Sequence, residues 1–155
     1  MDLTIEEYGG SHRDLEWLFR EADDSEELLD AYIDLGRVWV ARTADGEAIG
    51  HLQAVPHGEG VWEITNTAVI ESQRGRGVGR SLVERAVDEA RVAGTRRVIL
   101  ATGAADVGNL RFYQRCGFRM THVVHDVFTP AHGYPAGLEV DGIPLLDQVW
   151  FELVL

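Results

Sequence analysis

The chain contains no lysine: all 14 of its basic residues are arginines, set against 26 aspartates and glutamates. That absence excludes a Walker-type phosphate loop, whose lysine is the group that reaches the β- and γ-phosphates. A formal net charge of -12 argues against nucleic acid or an anionic membrane as the main partner, because the surface field repels polyanions. The same field would steer a cationic amine inward, although acidity also serves solubility and arginine usage also follows coding bias. Cysteine is nearly absent as well. Lone Cys116 has no partner for an internal disulfide, which fits a reducing compartment. No apolar run approaches the ~18 residues of a membrane-spanning helix, and the opening MDLTIEEYGG has neither the basic nor the apolar region of a signal peptide. Cytoplasmic residence, with no membrane and no nucleic-acid partner, is the resulting expectation.

What is present belongs to a globular chain: 155 residues, 45% apolar and 26% charged, suited to one domain over 1–155 with a substantial core. LTIEEY at 3–8 reads as a first strand. Ser11 followed by Asp14 resembles a helix cap with an acidic first turn, and Leu15, Leu18, Phe19 and Ala22 then share one helical face. A second helix starts near Asp24 or Ser25, carries Leu28, Tyr32 and Leu35 inward and stops at Gly36. From Arg37 the period changes to two, with RVWVAR and AIGHLQAV flanking Asp45-Gly46, a strong hairpin signal. VWEITNTAVI makes the next strand. Leu82, Val83, Ala86, Val87, Ala90 and Ala93 share a face of the helix that follows, and RVILAT at 97–102 reads as a strand buried on both faces. These three elements form a β-α-β unit, parallel and right-handed by the general rule for such crossovers. A short helix runs from Asn109 to about Arg115. FRMTHVVHDVF reads as a long strand, TPAHGYPAGLEVDGIPL as a Gly/Pro-rich excursion of the kind that forms a lid or edge, and DQVWFELVL as the final strand, a candidate dimer contact.

The chemistry gathers at 68–80, AVIESQRGRGVGR. A β-branched strand end, a loop with three glycines and a helix start expose backbone N–H groups that have no intrahelical partner, and the helix dipole adds positive potential there. A phosphate or pyrophosphate is the natural occupant of such a junction. A dinucleotide fingerprint fits poorly: the spacing is GxGxG, and the following strand ends in Thr102-Gly103 where that fingerprint needs an acid.

Two signatures occur together. Arg74-Gly75-Arg76-Gly77-Val78-Gly79 follows Ala68-Val69-Ile70, and further on Asn109 precedes Phe112-Tyr113 and Gly117-Phe118. In combination they resemble the GNAT superfamily of N-acetyltransferases over roughly residues 46–119, and YQRCGFR followed by HDVF is similar to small bacterial members of unassigned acceptor specificity. The resemblance implies an α/β (mixed α+β) fold, with a mostly antiparallel sheet of six or seven strands flanked by about four helices. It implies acetyl transfer from acetyl-CoA, as cosubstrate, to a primary amine of a small molecule or peptide by direct attack in a ternary complex. A non-catalytic acyl-CoA-binding sensor is the rival. Residues 74–80 (Arg74, Gly75, Arg76, Gly77, Val78, Gly79, Arg80), with Ser81, would hold the pyrophosphate. The pantetheine arm would pair with the strand end at Val69 and Ile70, and the N–H of Val69 or a neighbour would polarise the thioester carbonyl. Asn109 would hold the pantetheine amide or cap its own helix. Tyr113, one turn later, would protonate the departing thiolate, a role for which a phenol near pKa 10 is chemically suited.

A base must also take the proton of the attacking ammonium. Glu63 is the first candidate, an acid in an otherwise apolar strand, with Glu63, Thr65, Thr67 and Val69 placed on one face by alternation; a merely structural carboxylate is the alternative. His125 and Asp126 in the late strand are second candidates, on opposite faces. No metal is expected. His122, His125, Asp126 and His132 lie at spacings that alternate across a strand, and no cysteine supports them. Cys116 suits packing better than covalent catalysis, and Trp17, Trp39, Trp62 and Trp150 suit the core or a cleft wall.

Overall fold

The computed structural model describes residues 2–155. In chain order the elements are β1 (Leu3–Glu7), α1 (Glu16–Ala22), α2 (Glu26–Tyr32), β2 (Arg37–Thr43), β3 (Ala48–His57), β4 (Val61–Val69) and α3 (Val78–Val92). They continue with β5 (Arg97–Gly103), α4 (Val107–Arg115), β6 (Arg119–Val124), the short pair β7 (Glu139–Val140) and β8 (Ile143–Pro144), and β9 (Gln148–Val154). Seven strands form one sheet in the order β1-β2-β3-β4-β5-β9-β6. Every neighbouring pair is antiparallel except β4 and β5, which the α3 crossover makes parallel. This is the mostly antiparallel mixed sheet with four helices that the resemblance implies.

The sheet is covered on both faces because its inner strands alternate. Trp39 and Ala41 of β2 join the α3 side, where Val78, Leu82, Val83, Ala86, Val87 and Ala90 make one continuous buried stripe. Val38 and Val40 point the other way and pack with Leu18 and Phe19 of α1 and with Leu29 and Ile33. Each such side chain, fully buried, stabilises the fold by about 1.5–3 kcal/mol. The expected inward face of α2 is off by one residue: Leu29 and Ile33 are buried, whereas Leu35 is 48% exposed. Ser25 caps this helix through a bond from the Leu28 N–H. With only two turns, that cap sets which residues face inward.

One irregularity organises the molecule. β4 and β5 pair only over Val61–Ile64 against Arg97–Leu100, and beyond this they diverge while β4 stays paired to β3 as far as Val69. The gap opens at the carboxyl ends of two parallel strands, where α/β sheets commonly bind ligands. It also explains why β5 is buried on one face only: Val98 and Leu100 are buried, but Ala101 borders the gap.

The end of the chain departs from expectation in two ways. The late strand stops at Val124, because Asp126 takes a left-handed φ of 57° and donates its N–H to Asp147 Oδ1 at 3.0 Å. The final strand β9 lies inside the sheet between β5 and β6, so it is not an edge through which a second copy could pair; β1 and β6 are the edges. The 125–147 excursion holds a 3-10 turn at Pro130–His132 and the β7–β8 hairpin, with Gly133 against Leu28 of α2.

Candidate active site

The loop after β4 is built almost entirely by its backbone. Ile70 completes the β3 ladder by donating its N–H to Ile49 O at 2.9 Å. Gly77, with φ 84°, is the N-cap of α3, a conformation that costs a residue with a Cβ roughly 1–2 kcal/mol. The helix then makes its first bond from Ser81 N–H to Gly77 O at 3.0 Å. The N–H groups of Val78, Gly79 and Arg80 therefore point out of the helix start without an intrahelical partner. Gly79 serves packing: a Cβ there would stand 3.3 Å from the Phe112 ring, so its absence lets α4 approach α3. Two of the three arginines are already engaged. Arg74 donates to Val69 O at 2.9 Å and lies 3.7 Å from Glu21 of α1, and Arg80 pairs with Glu84 at 3.0 Å. Arg76 has no ion-pair partner among the described residues. Ile70 and Ser81 have committed backbone donors, so of the expected phosphate-binding set the loop offers chiefly the N–H groups around 75–80 and the Arg76 side chain.

The alternation expected for β4 fails at Thr65. Gln53 pairs with Asn66, but the next residue, Ala54, pairs with Ile64, so Thr65 is the extra residue of a β-bulge. Glu63 consequently faces the α1–α2 side together with Asn66 and Ala68, whereas Thr67 and Val69 face α3. The ladder also fixes the direction of the backbone donors. Since Ile70 N–H points to β3, the N–H groups of Val69 and Thr67 point away from it, into the gap left by β5.

A cleft of about 440 Å³ fills that gap. Its floor is Glu63–Thr67 of β4 and Ala101–Gly103 of β5; one wall is Asp23, Asp24 and Tyr32, the other Phe128, Tyr134 and Leu145; Asn109 and Tyr113 of α4 border it as well. Tyr113 is 6% exposed, its ring packed edge-on to Phe118, and its hydroxyl has no hydrogen-bond partner among the described residues. Burial, then the neighbouring Cys116 and Asp106, raise its pKa, so the phenol carries its proton. Asn109 does not cap α4, which begins two residues earlier than expected: Asp106 is the cap, accepting from Asn109 N–H at 3.0 Å. The Asn109 side chain instead donates to Thr102 Oγ1 at 3.2 Å, beside the cleft. Glu63 borders the cleft and accepts a hydrogen bond from His57 Nε2 at 2.8 Å. His125 and Asp126, in the turn after β6, are not among the cleft residues. Cys116 lies on the α3 side, where burial raises its thiol pKa. Trp39 and Trp62 stack in the core and Trp150 lines the cleft, while Trp17 is 49% exposed.

Three functional neighbours escaped the sequence: His51, Gln53 and Asn66, all buried. Gln53 Nε2 donates to Tyr32 O, Ile33 O and Leu35 O at 2.8–3.0 Å, while its Oε1 accepts from Thr65 Oγ1 at 2.6 Å. Asn66 Nδ2 donates to Phe19 O at 3.1 Å and Tyr32 Oη at 3.0 Å, and its Oδ1 accepts from His51 Nε2 at 2.7 Å. Tyr32 in turn donates to Asp23 at 2.7 Å. Two amides thus tie the α1–α2 wall to the strand at its bulge. His51, its ring tilted against Phe19 with centroids 4.4 Å apart, is kept neutral, its pKa pushed down to about 4 by burial. The signal was available: these are polar residues in the middle of otherwise apolar strands, and a buried polar group requires a partner.

Known proteins share this fold. The profile of the acetyltransferase (GNAT) family matches residues 7–118. Over 128 residues the chain is 32% identical to the uncharacterized N-acetyltransferase YvbK of Bacillus subtilis (strain 168), covering 83% of this chain and 81% of that protein. A crystal structure of a Bacillus subtilis acetyltransferase in complex with CoA superposes with a TM-score of 0.89 at 32% identity, over 99% of both chains. An Elizabethkingia anophelis GNAT family acetyltransferase with acetyl-CoA bound superposes with a TM-score of 0.91 at 28% identity, again over 99% of both.

Proposed function

The chain belongs to the acetyltransferase (GNAT) family and is an acyl-CoA-dependent acetyltransferase, and from that premise we propose that it acetylates a primary amine of a small molecule or peptide by direct attack in a ternary complex. The residues present suit acetyl-CoA. The free N–H groups around 75–80 and Arg76 would hold its pyrophosphate, and the gap beside β4, bordered by Asn109, would take the pantetheine arm as an added strand. What the cosubstrate supplies is an acetyl group activated on sulfur.

Glu63 removes a proton from the acceptor ammonium, directly or through water, and the freed lone pair attacks the thioester carbonyl. Negative charge then develops on the carbonyl oxygen, where a strand N–H can stabilise it. Both Val69 and Thr67 aim an N–H into the gap, but Thr67 borders the cleft beside Tyr113 and Val69 does not. Thr67 N–H is therefore assigned to the oxygen and Val69 N–H to the arm. Tyr113 protonates the departing thiolate. The burial that raises its pKa would raise that of a thiol beside it in the same direction.

The observation that carries this reading is Tyr113, 6% exposed, whose hydroxyl has no partner among the described residues and which borders the same cleft as Glu63 and Thr67. Nothing of this kind favours the sensor. Calorimetry with acetyl-CoA and CoA release over an amine panel test it: binding and acceptor-dependent release are expected. No acetyl-CoA binding at high micromolar concentration, or unchanged turnover in Tyr113→Phe, would overturn it.

A further inference from the structure

Five carboxylates border the cleft, Glu21, Asp23, Asp24, Glu63 and Asp106, and no arginine or histidine does. Three of them are engaged: Glu21 by Arg74, Glu63 by His57 and Asp106 as the cap of α4. Asp23 and Asp24 have no cationic partner among the described residues. Asp23 is nevertheless held in place, accepting from Tyr32 Oη at 2.7 Å and Ser25 N–H at 3.0 Å. The wall across from them carries Tyr134, packed edge-on against Phe128 with centroids 5.1 Å apart. Burial and then the charges of Asp23 and Asp24 raise the Tyr134 pKa, which puts its ring within their field. Carboxylates beside an aromatic face are the two groups that together favour an organic cation. A second, independent feature marks the same cleft as a ligand site: Tyr113, a residue more than nine-tenths buried whose hydroxyl has no partner among the described residues.

We propose that the acceptor is an organic dication: a primary amine bearing a second positive group, which Asp23 and Asp24 hold against Tyr134 while the reacting nitrogen meets Glu63 and Tyr113. This rests on the acetyl-transfer reading above. A monoamine must lose its charge before it attacks, and so leaves the two carboxylates uncompensated at the moment of reaction; a second cation keeps them paired. The balance is complete. One ammonium proton passes to Glu63, the N–C bond forms as the C–S bond breaks, Tyr113 gives its proton to the thiolate and regains one from the nitrogen of the adduct, which sheds its second proton as the amide forms, and the second cation is unchanged. The product keeps one positive charge and loses its attraction to Glu63, which favours release.

Calorimetry with the chain saturated in CoA, titrated with pentane-1,5-diamine and separately with pentylamine, tests the proposal. The diamine is expected to bind about tenfold tighter at low salt, from two partly exposed carboxylates and an aromatic face, with the advantage shrinking in high salt. Asp24→Asn, an exposed change that leaves the Tyr32 contact intact, should cut the advantage severalfold, and adding Asp23→Asn should abolish it, with acetyl-CoA affinity as the folding control. Equal affinity for the two amines, failure of both to bind, or a preference that survives in the double variant would overturn the dication while leaving acetyl-CoA binding in place. Loss of acetyl-CoA binding by the unmodified chain would instead overturn the acetyl-transfer reading.

Discussion

Residues 69–81 and the wall formed by α1, α2 and the 125–147 excursion stand on two sides of one gap in the sheet, and they are held by different kinds of contact. The loop at 69–81 depends on backbone: a left-handed Gly77, a helix start with free N–H groups, and a strand end whose donors alternate between β3 and the gap. The wall depends on side chains distant in sequence. Gln53 and Asn66, from β3 and β4, bond to carbonyls and a hydroxyl of α1 and α2, and Gly133 rests on Leu28. The difference teaches that the loop proposed for the donor depends little on which side chains it carries, whereas the wall proposed for the acceptor depends on a few particular ones, because backbone groups are common to all residues and buried amides are not.

Substitutions can break that contrast. Removing the Tyr113 hydroxyl should act on rate alone: Tyr113→Phe is expected to lower kcat about 100-fold or more at neutral pH, with acetyl-CoA affinity from calorimetry and Tm little changed. On the wall side, His51 should act on stability alone. Its pKa is about 4 in the fold against 6.5 unfolded, so the unfolded chain binds the extra proton between these values. Stability is full above about pH 6.5 and falls toward pH 4, by up to about 3 kcal/mol. Urea unfolding across that range should show a flatter profile for His51→Gln; a profile as steep as that of the unmodified chain would contradict the assignment.

Smaller effects sharpen the contrast further. Gln53→Ala removes the donor shared by the carbonyls of Tyr32, Ile33 and Leu35 and leaves the Thr65 hydroxyl without its acceptor, and should destabilise by about 2 kcal/mol. It should also raise the acceptor KM more than the acetyl-CoA KM, since the α1–α2 wall loosens while the loop does not. Gly77→Ala strains the left-handed N-cap by about 1 kcal/mol, so acetyl-CoA should bind about fivefold more weakly with the acceptor KM nearly unaltered. If Gly77→Ala instead changed acceptor selectivity, the two sides would not be separable in the way described.

Much of this architecture was legible because its causes are local. The Asp45-Gly46 hairpin, the α3 stripe from Leu82 to Ala90 and the glycine loop before it each follow from a period, a turn residue or a left-handed φ within a few residues. The misplaced features all have distant causes. Leu35 was expected inside but is exposed, since the Ser25 cap and the docking of Leu29 and Ile33 on β2 set the face of α2. Asp126 was expected on a strand but sits in a turn anchored by Asp147. Asn109 was weighed as a cap, yet Asp106 caps the helix and frees Asn109 to bond Thr102 on a neighbouring strand.

By itself the sequence determined the local framework proposed for the donor: a strand end, a glycine loop and a helix start with free N–H groups, with Asn109 and Tyr113 following at the spacing that carries the resemblance. Only the tertiary structure decided the rest. The bulge at Thr65 turns Glu63 toward the α1–α2 wall and Thr67 away from it, β5 diverges from β4 to open the cleft, and Asp23, Asp24 and Tyr134 meet around it. Backbone conformation and helix dipoles are set by neighbours in the chain, whereas strand register, splay and the pairing of buried polar groups are set by which distant segments pack together.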